Sequence, residues 1–239
     1  HCTRRFASSS TSHHYRRHPS LKKFVTMLVA AAFLAPASLN AKENEVKRWY
    51  SFDSMGCMML RECTKDVRQV KTWRSLGDDY EQFEEEITDI LNSMRRIGIN
   101  VYIGHPKYFA ALTRGLYYVK GNDMFLNERY LSNPTMMLKV LRHEGWHAAQ
   151  DCMAGTIDNT FTAVILQDGV VPDWIRSGAE KTYPASAVPY EAEAMYAAFS
   201  DTMTRDALKA CAGPRKMWKV YEPTPLTKKW LLEQGWMTK

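Results

Sequence analysis

Two histidines four residues apart, His143 and His147, constrain this chain more than any other feature. No proline interrupts the stretch from Thr135 to Cys152, and Val140, Leu141, Gly145, Trp146, Ala148 and Ala149 are all uncharged. The stretch reads as a helix, and a spacing of four puts both imidazoles on one face, where they can converge on a tetrahedral metal ion. A catalytic zinc takes three protein ligands and a water, so a second element has to deliver the third. Glu144 points to the side of such a site. There it can accept a proton from the water without occupying a ligand position.

The third ligand has few sources. Past residue 41 the only other histidine is His105, which precedes Pro106 in an expected loop. Glu191 and Glu193 are better placed, at the start of a helix expected to run to about Ala212 and to stop at Gly213-Pro214. Glu193 shares an apolar stripe with Ala197, Ala207 and Leu208. As an alternative, both are solvated acids that the helix dipole favours at a helix start.

From roughly Leu116 to Cys152, and again near Glu191, the chain resembles the HExxH zinc metallopeptidases, the zincins. Val140 three residues before the first histidine and Ala148-Ala149 after the second fit their longer pattern. The resemblance implies a zincin-like α+β domain. In it, a small mixed sheet with an edge strand packs on the HExxH-bearing helix, and a second helix carries the third ligand. Zincins of the glutamate type often carry that ligand in a Glu-x-x-Ala-Asp pattern, which Glu191 to Ala194 match, so the resemblance favours Glu191 over Glu193. Met195 stands where the pattern has the Asp that orients a ligand histidine, so that carboxylate is missing here.

Order along the chain agrees with such a domain. Tyr80, Phe83, Ile87, Leu91, Met94 and Ile97 recur at helical spacing up to Gly98, and Glu84-Glu85-Glu86 is expected on the solvated face. Ile99 to Ile103 reads as a strand. Leu116 to Val119 and Met124 to Asn127 flank a hairpin turn at Lys120-Gly121-Asn122-Asp123. Ser132 or Asn133 is expected to cap the motif helix, with Pro134 in its first turn. By the resemblance, Met124 to Asn127 is the sheet edge along which a peptide would lie. Tyr183 and Tyr190 are candidates to stabilise an oxyanion. Gln150, near the metal-facing side, has no assigned role.

Residues 21–41 read as a signal peptide: Lys22-Lys23, an apolar run from Phe24 to Ala35, and small residues suited to cleavage near Ala37 or Ala41. Residues 1–20 are expected to be an upstream or non-native extension. An organellar transit peptide and an uncleaved anchor stay open as alternatives. The apolar run is short for a membrane span, so no stable insertion is expected once the leader is cleaved. Residues 42–239 form one expected domain. The first 41 residues hold six Lys/Arg and no acid, leaving 26 of each sign beyond them. That balance points away from a nucleic-acid partner.

Four cysteines remain in an exported chain, which suggests the disulfides Cys57–Cys63 and Cys152–Cys211, with free buried thiols as the alternative. The expected function is zinc-dependent hydrolysis of peptides or proteins in the periplasm or outside the cell, with His143, His147 and Glu191 on zinc and Glu144 as general base. The alternatives are an exported zinc-binding protein without peptidase activity and an exported domain without metal.

Overall fold

The computed structural model describes Met55, Met59, residues 66–157 and residues 161–238. Residues 1–41 and the pair Cys57–Cys63 lie outside the described residues. Four strands, β1 (Val67–Gln69), β2 (Asn100–Gly104), β3 (Gly115–Tyr118) and β4 (Asp123–Asn127), form one mixed sheet in the order β1-β2-β4-β3. β1 and β3 run antiparallel to their neighbours, while β2 and β4 are parallel. The described α-helices are α1 (Glu84–Arg96), α2 (Pro134–Met153), α3 (Asp173–Thr182), α4 (Val188–Ala197), α5 (Met203–Cys211) and α6 (Pro225–Glu233). This is an α+β architecture.

Strand alternation sorts the core onto two faces. Val101, Ile103, Tyr117, Met124 and Leu126 enter the main core with α1, α2 and α5. Val67, Leu116, Tyr118 and Phe125 turn the other way and pack with Tyr108, Phe109, Met55 and Met59. A third cluster joins α3 to α4 through Ile175, Ala179, Tyr183, Ala187, Val188 and Ala192.

The hairpin forms as expected, with Asn122 in the left-handed region at its turn (φ 54). The sheet edge is not where it was expected. β4, with Met124 to Asn127, pairs with β2 on one side and β3 on the other, so it is an interior strand. All five of its residues are buried, as suits a strand covered on both faces. The edge beside the motif helix is β3.

Two helix readings also change. The acidic run is only partly solvated: Glu84 and Glu85 are exposed, but Glu86 takes a bidentate pair from Arg142 Nε (2.6 Å) and Nη2 (2.7 Å), tying α1 to α2. The helix expected from Tyr190 to Ala212 is broken into α4 and α5. Ser200 Oγ accepts from the N–H groups of Thr202 (3.3 Å) and Met203 (3.1 Å), so a polar turn ends one helix and starts the next.

α2 is capped by Asn133, whose side chain accepts from Met136 N, and begins with Pro134. α5 crosses it closely at Gly145, where a Cβ would stand 2.7 Å from Thr204 Cγ2. The disulfide Cys152–Cys211 then ties the end of α2 to the end of α5, which fits an oxidising environment. Among the described residues no helix is long and apolar enough to cross a membrane.

Candidate metal centre

α2 and α4 bring three side chains to one point. His143 Nε2 and His147 Nε2 are 3.2 Å apart. Glu191 Oε2, from the first turn of α4, lies 3.3 Å from the former and 3.6 Å from the latter. All three residues are buried. Donors held about 2.0–2.2 Å from one tetrahedral ion stand roughly 3.3–3.6 Å apart, so the triangle has the size of a face of such a polyhedron. Apart from the two histidines, no donor among the described residues reaches either Glu191 oxygen. A buried carboxylate left this way is unfavourable unless a cation neutralises it. The group could hold a metal ion.

Without an ion the charges lean on one another. Burial works against the charged form of His147, but Glu191 and Glu144 beside it and Gln150 outweigh that and raise it to about 9. Burial holds His143 below the usual histidine value. Burial alone would raise Glu191, yet the two histidines bring it below the usual carboxylate value.

Gln150 is the residue that sequence reasoning left without a role. Its side-chain amide donates to Tyr190 O (3.1 Å) and to Glu193 Oε2 (2.8 Å), both of which can only accept. The amide oxygen is therefore the atom that faces His147 Nδ1, at 2.8 Å. His147 donates from Nδ1, so that on loss of its other proton the Nε2 lone pair is the one a metal could take. Met195 instead packs toward α3, its Cε 3.5 Å from where a Cβ on Gly178 would be. Gln150, and not Met195, is thus the side chain that orients the His147 ring. Its position three residues after His147 was legible; its partners on α4 were not.

Glu193 is separated from the ligand role by its own hydrogen bonds. Its carboxylate accepts from Trp146 Nε1 (3.2 Å), Gln150 Nε2, Ile165 N (2.9 Å) and Leu166 N (2.6 Å). Burial still pushes it up to about 6 against those donors. It pins the segment after residue 161 to α2 and α4.

Glu144 sits beside the triangle, under the sheet edge. Its Oε2 accepts from Tyr117 N of β3 at 2.9 Å, and its Oε1 has no hydrogen-bond partner. Gly115 makes the approach possible, since a Cβ there would stand 2.8 Å from Glu144 Cγ and 2.5 Å from Val140 Cγ1. Burial raises the Glu144 carboxyl to about 8.

His105 caps a short 3-10 turn, its Nδ1 accepting from Lys107 N at 3.1 Å. Tyr183 is buried between α3 and α4, and Tyr190 meets Gln150 through its carbonyl. Comparison with known proteins yields no matching family model, no matching curated protein and no matching solved structure. The centre therefore rests on its own geometry.

Proposed function

We propose that this chain is a zinc-dependent peptidase of the zincin type, acting outside the cytoplasm on peptide or protein substrates. The observation that carries the reading is Glu144: a buried carboxylate, anchored at one oxygen and unpaired at the other, beside three convergent ligand atoms. His143, His147 and Glu191 would hold Zn²⁺, which when bound supplies a Lewis acid for the scissile carbonyl and makes water more acidic.

The protein's own part of the chemistry follows from the site. Tyr117 N fixes Glu144 Oε2, which leaves Oε1 to take a proton as water adds to the carbonyl carbon. The same oxygen returns that proton to the amine nitrogen as the C–N bond breaks, so the carboxylate is restored. The transfer needs Glu144 ionised when water adds, which the charge of a bound cation would favour against burial. Gln150 holds His147 in the tautomer that can ligate.

One observation favours a second reading. His143, Glu144 and Glu191 are fully buried, and His147 is 1% exposed. A closed centre suits an exported zinc-binding protein that hydrolyses nothing. Metal analysis of the purified chain beside His147→Ala, followed by a peptide library with Glu144→Gln, separates the two. One zinc per chain, lost in His147→Ala, with hydrolysis lost in Glu144→Gln, supports the peptidase. Zinc bound with no cleavage of any peptide favours the second reading.

A further inference from the structure

Tyr117 bonds to α2 twice. Its backbone N–H donates to Glu144 Oε2 at 2.9 Å, and its phenol donates to Asp151 Oδ2 at 2.7 Å. Glu144 and Asp151 stand seven residues apart on α2, about two turns of helix, so both carboxylates lie on one face and one strand residue can span them. All three residues are buried, Glu144 and Asp151 completely.

Among the described residues β3 has a strand partner on one side only, β4. The amide of Tyr117 points to the other side, where Glu144 receives it in place of a strand. Its position therefore depends on what holds the β3 edge against α2. Gly115 lets the strand come close but has no side chain with which to fix it. The phenol of Tyr117 supplies the fixed point. Burial, with Asp151 and Asp123 nearby, holds this group well above the usual tyrosine value, so the hydroxyl keeps its proton and stays a donor. A carbonyl would be enough to satisfy a buried hydroxyl. A carboxylate is costlier to bury and makes the stronger bond, which suits a contact that has to hold a position.

We propose that Asp151 and Tyr117 are positioning residues for the general base: Asp151 holds the Tyr117 phenol, and the Tyr117 amide in turn holds Glu144 Oε2, with Oε1 left for the proton. The inference rests on the peptidase reading and extends it to two residues outside the ligand set. A base displaced by about 1 Å from the water it serves can lose about a hundredfold in rate.

The test uses the full chain supplied with zinc, and the peptide that the wild type cleaves best. Tyr117→Phe removes the phenolic oxygen alone. Pairing it with Asp151→Asn replaces the stranded buried carboxylate by a neutral amide, in case the single variant does not fold. Hydrogen exchange followed by NMR is expected to show the amide at position 117 exchanging at least about tenfold faster in either variant, while the amides of β2 and β4 keep their rates. The value of kcat should fall about 10- to 100-fold, with KM and zinc content as in wild type. Asp151→Asn alone leaves the phenol an acceptor oxygen and should restore most of kcat. An amide at position 117 as protected as in wild type, an unchanged kcat, or exchange that rises throughout the sheet overturns the inference, the last because it marks a role in packing alone. Exchange needs no turnover, which keeps the two ideas apart. A wild type that binds zinc and cleaves nothing removes the peptidase and the catalytic role of the pair, while exchange at position 117 still decides whether the pair holds Glu144.

Discussion

Replacing Gln150 with Met tests the centre without touching a ligand. The side chain keeps its length and its lack of branching but loses every hydrogen bond it makes. His147 Nδ1 then loses its 2.8 Å acceptor, Tyr190 O loses a donor, and Glu193 keeps Trp146, Ile165 and Leu166. A buried polar group left unsatisfied costs about 1–3 kcal/mol, and His147 and Tyr190 are the two left most exposed to that loss. The metal-free protein should therefore unfold with about 2–6 kcal/mol less stability. Zinc affinity should fall about 10- to 100-fold, since the imidazole is no longer fixed in its ligating tautomer. Competition against a chromophoric chelator reads the affinity, and urea unfolding with and without zinc reads the stability. A folded Gln150→Met protein that binds zinc as tightly as wild type would refute the assignment of Gln150 as the residue that orients His147.

Zinc binding should release protons. With His147 raised to about 9, its ring is protonated at pH 7 and must lose that proton to ligate. Affinity should rise about tenfold per pH unit up to about pH 9 and then level off. Calorimetry in buffers of differing ionisation enthalpy counts the protons, and zero release at pH 7 contradicts the charge pattern described here. Removing the disulfide by Cys152→Ala with Cys211→Ala opens a loop of 59 residues, a loss of about 4 kcal/mol by chain-entropy arguments. Denaturant midpoints of the paired variants against the oxidised protein check it, and equal midpoints would show that α2 and α5 are held by packing alone. Gly145→Ala drives a methyl towards Thr204 Cγ2 at 2.7 Å, so a loss of about 1–3 kcal/mol is expected. Thermal unfolding of Gly145→Ala beside Gly145→Ala with Thr204→Ser, which removes the opposing methyl, should show partial recovery.

Local features of this molecule were legible in its residues. A cap at Ser132 or Asn133, of which Asn133 does the capping, the Lys120-Gly121-Asn122-Asp123 turn, the stop at Gly98 and the histidine spacing each depend on neighbours within about four positions. Glu191 joining the two histidines was reached through a resemblance, and the geometry of α4 agrees with it. What the sequence concealed depends on distant partners. Nothing local tells Glu86 from Glu84 and Glu85; only Arg142, 56 residues on, takes it out of solvent. Strand order is of the same kind. Met124-Phe125-Leu126 is a short apolar run that suits either an edge or an interior strand until β2 claims its free side. Likewise Glu193 and Glu191 differ by two residues, yet the amides of Ile165 and Leu166 claim one and the histidines the other.

Burial and ligand number pull the functional reading in opposite directions. A structural zinc is usually closed by four protein ligands, and a closed shell goes with a site sealed from solvent. Here the convergent group has three members among the described residues. The two other carboxylates nearby are already engaged: Glu193 accepts from two side chains and two backbone amides, and Glu144 is held at Oε2 by Tyr117. Recruiting Glu193 as a fourth ligand would strip those donors and free the segment beyond residue 161. Moving Glu144 would break its bond to the sheet edge. Among the described residues, ligand number thus fits a centre with one position left for water. On that reading, substrate entry requires movement at the β3 side, where Gly115 packs on Glu144, because α2 is fixed on its far side by Glu86, Thr204 and the disulfide. Hydrogen exchange gives the check. Amides of β3 should exchange well before those of α2, and equal protection of both would favour the closed, non-hydrolytic centre.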